Sequence, residues 1–487
     1  SLTSYTDPYD FDWGIHALTA FRRWLRQHYE SLDSLNREWK SSYKRWGEIL
    51  PFTTEQAIKS RNFAPWADHR TFMEVSFANA YQRVREAVLA ADPNGHIALS
   101  GTQETTAYNG CDWYRLDQII DDFLSYDGGN QWDMHRSFAK QDATIGFWTG
   151  YGSRGIAVQN AIWTAAIHGA LHPNIFWMPS FLNPDYTCSQ SARDMGEAFK
   201  TLKYGGVGKL LMESERLQDG IALHYSMPSV HAASITLNHP EVGRREVIRD
   251  FPANRDGWVR AINDLGLQFN FVSSIQVEEG ALSRSGYRLL ILPFSMAVSP
   301  AEVKAIKEFA SAGGVVLADA AAGLMDEHCA WQSEGFLNEF FGIAAAPSEG
   351  RRLAGSTVQE RNQDGDITAQ HRTPGIAGPV RVSAEGSGWG LKPESLQDIE
   401  AVEESVRATA GQPLVKVGAA DAAIVRRAGK GWAVFLNVLL DRYPDLRAKA
   451  TAARSYRELI KRILEHLNIR PAVQVLASGG ASLDQAQ

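Results

Sequence analysis

Acidic side chains follow two of the predicted strands, where a parallel sheet usually carries its reactive groups. Glu104 comes after a predicted strand at 96–101, and Asp127 ends a predicted strand at 123–127. Glycoside hydrolysis uses two carboxyl groups, about 5 Å apart for retention of configuration and about 6.5–9.5 Å apart for inversion. Because the carboxyl ends of parallel strands meet at one edge, Glu104 and Asp127 are the candidate catalytic pair. The alternative is that each acid caps a loop, which is the stronger reading for a third acid, Asp185.

Polar and aromatic side chains in the same strand-end loops have the chemistry needed to bind a sugar. Flat aromatic rings pack on the apolar face of a pyranose, while amide and guanidinium groups bond to its hydroxyls. The candidate substrate-binding residues are Gln103, Asn130, Arg136, Trp148, Tyr151 and Trp177, and Gln131 and His135 lie in the same loops. The alternative is an ordinary loop role for the polar residues and core packing for the aromatic ones.

Strands alternate with helices in the part of the chain that carries these residues. Strands are predicted at 96–101, 123–127, 143–149 and 174–179, and helices at 68–91, 116–123, 155–169 and 191–202. Repeated strand–loop–helix units are typical of a parallel sheet. A complete (β/α)8 TIM barrel has eight strands in about 250 residues. We therefore predict a partial TIM barrel over residues 1–216.

A second α/β pattern occupies residues 217–475. Four strands are predicted at 220–226, 268–274, 287–294 and 314–320, with helices at 256–267, 299–314 and 451–467 and a hairpin at 422–438. This pattern predicts a flavodoxin-like doubly wound α/β domain, with a flexible tail at 476–487. Residues 345–415, which are rich in Gly, Ser, Pro and charge, are interpreted as an irregular insertion or as a lobe of short strands. No glycine-rich phosphate loop follows the first of these strands, and Cys329 lacks the setting of a nucleophile. We expect no cofactor and no catalytic role for this domain.

The composition of the chain gives no indication of a nucleic-acid, membrane or zinc partner. The 487 residues carry a formal net charge of −7, with no basic block that would indicate a nucleic-acid partner. No segment approaches the roughly 20 apolar residues of a membrane helix, and three distant cysteines offer neither a disulfide framework nor a zinc site. Ten of the fourteen tryptophans precede residue 180, and most of them are expected to pack in a core. The cellular compartment stays open.

The segment FRRWLRQHYESLDSLNREWKSSYKRWGEI, residues 21–49, resembles glycoside hydrolase family 42 β-galactosidases after their fourth barrel strand. GIALHYSMPS at 220–229 resembles the first strand of the family's flavodoxin-like domain. The resemblance implies a hydrolase that cleaves terminal β-galactosides or related glycans, and a homo-oligomer, expected to be a trimer, because that domain forms the family's trimer. It also implies that the chain begins partway through the barrel.

The sequence departs from the family at both catalytic positions. The family's acid/base Glu follows the fourth strand, so it is expected upstream of Ser1, unless Asp7, Asp10 or Asp12 replaces it. The strand that should carry the nucleophile, GFWTGYG, has no carboxylate, and Met212-Glu213 is interpreted as part of a connector. We therefore expect the chain itself to hydrolyse aryl β-galactosides poorly or not at all. The alternative is a catalytically inactive carbohydrate-binding or assembly protein that retains the fold.

Overall fold

The computed structural model describes most of the chain, namely residues 10–101, 105–126, 130–149, 154–170, 174–176, 181–237, 245–248, 250–347, 357–361, 367–372, 374–447 and 452–473. The chain divides into two compact units. The first comprises residues 1–6 and Met73–Leu217, and the second comprises Asp7–Phe72 and Gln218–Gln487. The predicted domain borders at 216 and 475 stay predictions.

Four helices come first in the chain: α1 Ile15–His28, α2 Leu32–Glu38, α3 Thr54–Ser60 and α4 Ala64–Ala91, with a 3-10 turn at Trp46–Glu48. α1 buries Phe21 and Leu25, which lie four residues apart and therefore share one helical face. Ser31 caps α2, because its Oγ accepts the backbone N–H of Ser34 at 3.1 Å. No helix among the described residues is both long and apolar enough to cross a bilayer.

The first unit is built on a parallel sheet. Its strands are β1 Ala98–Ser100, β2 Asp122–Ser125, β3 Thr144–Thr149 and β4 Asn174–Phe176, in the order β1-β2-β3-β4. The later helices of this unit are α5 Trp113–Asp117, α6 Gln131–Phe138, α7 Gly155–Ile167, α8 Gln190–Tyr204 and α9 Val207–Glu213. Parallel strands that neighbour one another in chain order are the arrangement of consecutive βα units in a barrel. The predicted partial barrel is confirmed.

The core of the first unit lies between this sheet and its helices. Phe147 of β3 packs with Val158 and Ile162 of α7 and with Met195 and Leu202 of α8. Successive side chains of a strand point to opposite faces, so the residues that flank Phe147 point away from these helices. The sheet therefore has one face covered by helices and a second face that carries Trp148.

The second unit continues with strands β5 Ile221–Tyr225, β6 Arg245–Ile248, β7 Phe269–Ser273, β8 Leu289–Leu292, β9 Val315–Ala318, β10 Ile343–Ala344, β11 Thr357–Arg361, β12 Ile367–Arg372, β13 Val380–Val382, β14 Arg407–Ala408, β15 Gln412–Val417, β16 Ala420–Ala428 and β17 Gly431–Leu436. Its helices are α10 Met227–Leu237, α11 Asp250–Asp264, α12 Ser274–Glu278, α13 Ala281–Arg284, α14 Pro300–Ala312, α15 Asn338–Phe341, α16 Ala384–Gly388, α17 Tyr443–Arg447 and α18 Ala452–His466, with a 3-10 turn at Pro393–Ser395.

The main sheet of the second unit has eight strands in the order β13-β15-β16-β17-β9-β8-β5-β7. The run β7-β5-β8-β9-β17 is parallel, and its chain order is the 2-1-3-4-5 order of flavodoxin-like sheets. β8 and β9 are buried along their whole length, as expected for strands covered on both faces. The predicted flavodoxin-like domain is confirmed, and β13, β15 and β16 extend it as antiparallel strands.

One predicted helix is too long. The sequence predicted a helix over 116–123, but α5 ends at Asp117 and β2 begins at Asp122. Asp121 accounts for the early end, because its carboxylate accepts the backbone N–H of Ile97 at 3.0 Å. Pairing of β2 with both of its neighbours then outweighs the helical preference of the local sequence.

Candidate functional site

The candidate site lies at the carboxyl ends of β1, β2 and β3. The register pairs Ser100 with Leu124 and Ser125 with Phe147. By the alternation of the strands, Ser100, Tyr126 and Trp148 occupy the face of the sheet opposite to the one on which α7 and α8 pack. Reactive groups of barrel enzymes gather at this end of the strands.

Trp148, Ser100 and Tyr126 form an aromatic platform. Trp148 Nε1 donates a hydrogen bond of 2.8 Å to Ser100 Oγ, which fixes the orientation of the indole. The Tyr126 ring stacks beside it, with 6.0 Å between ring centroids and 29° between the planes. Both rings are only partly buried. A partly exposed aromatic pair has the shape and polarity needed to cover one face of a sugar ring.

Several predicted site residues lie outside the part of the chain that the structure describes. Both candidate catalytic acids are among them, with one amide and two aromatic residues: Glu104, Asp127, Gln103, Tyr151 and Trp177. Their roles stay predictions. In the sequence, Glu104 comes four residues after Ser100, the last residue of β1. Asp127 comes two residues after Ser125, the last residue of β2.

Asn130 and Arg136, two predicted substrate-binding residues, belong to α6 and the turn before it. Asn130 adopts the left-handed conformation at φ 59° and is the residue that precedes α6. Arg136 Nη2 lies 2.7 Å from Asp133 Oδ1, and its side chain is 14% exposed. Arg136 is therefore engaged in an ion pair, and any contact of these two residues with a sugar stays a prediction.

Asp133 is held as a carboxylate by its neighbours. Burial alone would raise its pKa, but His168 Nδ1 lies 2.9 Å from its Oδ1 and Arg136 contacts the same oxygen. Together these groups lower the pKa of Asp133 to about 2. The cluster stabilises α6 against the following βα unit, and Asp133 itself has no proton to give near neutral pH.

Two further acids weighed from the sequence, Asp185 and Glu213, have structural positions. Asp185 accepts hydrogen bonds from the backbone N–H and the hydroxyl of Thr187, at 3.0 and 2.7 Å, and so caps a turn. Glu213 is the last residue of the helix α9 and lies 3.7 Å from Lys209. Neither acid lies at a strand end.

Two residues of the platform were missed from the sequence. Tyr126 was included in a predicted strand, and Ser100 was assigned to the strand before it. The available signal was the alternation of faces, because Tyr126 and Trp148 are out of phase with the core residues Phe123 and Phe147. The register that aligns β1, β2 and β3 could not be read from one sequence.

In the flavodoxin-like unit, the strand ends are occupied by side chains of the unit itself. Asp319, which follows β9, accepts hydrogen bonds from Asn254 Nδ2 at 2.6 Å, Trp258 Nε1 at 2.7 Å and the Phe294 N–H at 2.6 Å. Burial raises the pKa of Asp319 to about 7. Among the described residues no group of three or more His, Cys, Asp or Glu side chains is arranged to hold a metal ion.

Comparison with known families agrees with this architecture. Residues 5–153 match the family model described as β-galactosidase, and residues 248–470 match that of the β-galactosidase trimerisation domain. The chain is 23% identical over 504 residues to β-galactosidase BglY of Alicyclobacillus acidocaldarius, covering 90% of this chain and 65% of BglY.

Solved structures share the fold. A catalytic mutant of Gan42B, a GH42 β-galactosidase from G. stearothermophilus, aligns with a TM-score of 0.65 and 17% identity, over 93% of this chain and 66% of that one. The cold-adapted β-galactosidase from Rahnella sp. R3 aligns with a TM-score of 0.68 and 16% identity, over 98% and 69% of the two chains. The chain thus spans slightly less than two thirds of the length of BglY and Gan42B. It belongs to the β-galactosidase-like proteins of glycoside hydrolase family 42.

Proposed function

We propose that this chain acts as a glycoside hydrolase on terminal β-galactosides or related glycans. The observation that carries the proposal is the aromatic platform of Ser100, Tyr126 and Trp148 at the carboxyl ends of three parallel strands. Such a platform binds a pyranose through its apolar face, and the barrel edge is where carboxylates from neighbouring loops can reach the glycosidic bond.

In this proposal Glu104 and Asp127 are the two catalytic carboxyl groups. They continue the chain directly beyond β1 and β2, the strands that carry Ser100 and Tyr126. Gln103, Asn130, Arg136, Tyr151 and Trp177 are the proposed additional sugar contacts. The reaction is carboxylate acid/base chemistry and uses no cofactor in this proposal.

One observation favours a second candidate, a catalytically inactive carbohydrate-binding protein. The resemblance to the family assigns the nucleophile to the strand β3, and the residues of β3, Thr144–Thr149, include no carboxylate. In that case the platform would bind sugar without cleaving it.

Hydrolysis of an aryl β-galactoside by the purified chain separates the two candidates. We expect slow release of the aryl group that falls at least about 100-fold in Glu104→Gln or Asp127→Asn, because each removes an acid or base from the reaction. Asp185→Asn is the matched control, since Asp185 caps an exposed turn, and it should keep the wild-type rate. Binding of thiogalactoside without any hydrolysis would support the inactive protein, and neither binding nor hydrolysis would reject both.

We further propose that the protein assembles as a homotrimer through the flavodoxin-like unit. The match of residues 248–470 to the trimerisation domain model supports this assembly. The mass of one chain is 53.9 kDa. Light scattering at micromolar concentration should give three times this mass. A mass of one chain across the concentration range would contradict the proposal.

A further inference from the structure

A buried chain of polar side chains lies directly behind the aromatic platform. Asp117 Oδ1 lies 3.0 Å from His135 Nδ1, and Ser125 Oγ lies 2.7 Å from His135 Nε2. The three residues come from the end of α5, from α6 and from the end of β2. Nothing in the proposed reaction uses them, so their arrangement needs a separate explanation.

The order of these groups is that of a Ser-His-Asp triad, but they are sealed from solvent. Ser125 is 1% exposed, and His135 and Asp117 are each 0% exposed. A serine nucleophile must reach a substrate, which the Ser125 hydroxyl cannot do in this position. The chain of groups therefore acts on the protein itself.

The His135 ring is fixed in one orientation. Phe123 stacks on its face with 4.2 Å between ring centroids and 19° between planes, and Trp113 meets it edge-on at 4.6 Å and 86°. In the neutral imidazole, Nδ1–H donates to the Asp117 carboxylate, and Nε2 is then the acceptor for the Ser125 hydroxyl. His135 thus holds the last residue of β2 by a short, directional hydrogen bond.

The residue held by His135 is adjacent to the platform. Ser125 points to the helix-covered face, so the next residue, Tyr126, must point to the opposite face, where it stacks on Trp148. A shift or rotation at Ser125 would carry the Tyr126 ring with it. We infer that His135 is a positioning residue, which fixes the end of β2 so that Tyr126 and Trp148 form one sugar-binding surface. This inference rests on the function proposed above.

The competing explanation is that the buried groups only stabilise the fold. Ser125→Ala removes the hydrogen bond to His135 and leaves the ring and its packing. Gln118→Ala is the matched control. Gln118 Nε2 donates a 2.7 Å hydrogen bond to the carbonyl oxygen of Phe138, at the end of α6 that lies away from β2. Both variants lose one hydrogen bond to α6, so a purely stabilising role predicts the same outcome for both.

Two measurements distinguish the roles. The first is the dissociation constant for isopropyl β-D-thiogalactoside, followed by tryptophan fluorescence. The second is the contribution of Trp148 to the near-ultraviolet circular dichroism, obtained as the difference between each protein and its Trp148→Phe derivative. We expect Ser125→Ala to weaken binding about tenfold and to change the Trp148 spectrum, whereas Gln118→Ala should change neither, even where both lower the melting temperature.

Equal binding and equal spectra for wild type and Ser125→Ala would overturn the inference. If wild type binds no thiogalactoside, the proposed function fails, and the Trp148 spectrum alone decides whether His135 positions Tyr126. If Ser125→Ala does not fold, Asp117→Asn, which keeps the size of the side chain but removes the charge that orients His135, takes its place in both measurements. A wild-type spectrum and affinity in Asp117→Asn would then overturn the inference.

Discussion

Trp148 is the side chain on which the proposed sugar site most directly depends. Its indole both stacks on Tyr126 and donates to Ser100. Trp148→Phe keeps an aromatic face and loses the hydrogen bond, so thiogalactoside affinity should fall by up to about tenfold, since one such bond is worth roughly 0.5–1.5 kcal/mol. Trp148→Ala removes the face as well and should weaken binding further. Calorimetric titration measures both.

Trp163→Phe is the control for that pair of variants, because Trp163 lies on α7 and packs against the helical core. Its binding constant should equal that of wild type. Wild-type affinity in Trp148→Ala would contradict the platform, and reduced affinity in Trp163→Phe would show that the assay reports general stability.

At this scale the sequence located Trp148 but not its partners. Its place at the end of an apolar run marked it as a strand-end residue. Four of the other early tryptophans, Trp39, Trp66, Trp113 and Trp132, are nearly or fully buried, whereas Trp13, Trp24, Trp46 and Trp163 are only partly buried. Tyr126 and Ser100 join it only through the register of three strands, a relation between distant segments that local patterns do not contain.

Among the elements, those with strong local signals were predicted well. Ser299 caps α14, Pro300 occupies its first position, and Gly313 ends it with φ 125°. The hairpin of β16 and β17 turns at Gly429, where φ is +61°. The strands β11 and β12 fit the predicted alternative of a lobe of short strands. Their pairing with β6 was not predicted, because β6 and β11 are about 110 residues apart in the sequence.

The helix α11 offers a test of how closely elements pack. A Cβ atom added at Gly257 would overlap the carbonyl group of Leu440. Gly257→Ala should therefore destabilise the second unit by about 1–3 kcal/mol or more, because backbone must move to admit the methyl group. Urea denaturation followed by circular dichroism measures the loss.

Gly196→Ala is the matched comparison within another helix, α8. No atom lies within 4 Å of the position of an added Cβ there. This change should leave the protein unharmed or stabilise it by roughly 0.5–1 kcal/mol, because alanine restricts the unfolded chain. The same loss of stability in both variants would contradict the close contact at Gly257.

At the scale of the whole chain, a cluster of ionisable groups joins segments that are far apart in the sequence. Asp68 Oδ1 lies 2.6 Å from Nδ1 of His328, 260 residues later. The Asp68 carboxylate also accepts hydrogen bonds from Tyr29 Oη at 2.6 Å and Trp39 Nε1 at 2.7 Å. Within the second unit, these hydrogen bonds of Asp68 therefore connect the first helices of the chain to the loop after β9, which carries His328.

In this cluster, burial and the charge of the partner shift each pKa in opposite directions for Asp68 and His328. Burial would lower the pKa of His328, but Asp68 raises it to about 10. Burial likewise acts to raise the pKa of Asp68, yet His328 holds it below its ordinary value. Burial raises the pKa of Glu327 to about 7. Burial and the nearby Asp326 raise the pKa of Glu38, and burial and the nearby Asp68 raise the pKa of Asp326. His28, Tyr29 and Glu278 also face these groups, from α1, its end and α12.

The stability of the second unit should accordingly be highest in mild acid. The contribution of Glu327 is complete below about pH 4.5 and is lost as the pH rises through about 7, because its pKa is raised on folding. That of His328 is lost only through about pH 10, and that of Asp68 is lost as the pH falls below its lowered pKa. The melting temperature is therefore expected to fall between pH 5 and pH 8.

Glu327→Gln removes one of the groups that titrate in this range and should make the fall shallower in scanning calorimetry, while Asp319, whose pKa burial also raises to about 7, still contributes. Glu308→Gln serves as the control, because the Glu308 side chain is 68% exposed on α14 and pairs with Lys304 at 4.0 Å. A melting temperature that rises from pH 5 to pH 8 in wild type, or an unchanged slope in Glu327→Gln, would contradict the assignment.

The 260 residues between Asp68 and His328 also set a delay during synthesis on the ribosome. At about 5–20 residues per second, Asp68 waits roughly 13–50 s for His328 to be made. Throughout that time the Asp68 carboxylate, which the finished protein buries, has no His328 imidazole to pair with. Nascent chains that end before His328 should therefore be cut by protease within residues 10–72, whereas released chains should resist, and a holdase chaperone should bind this segment first.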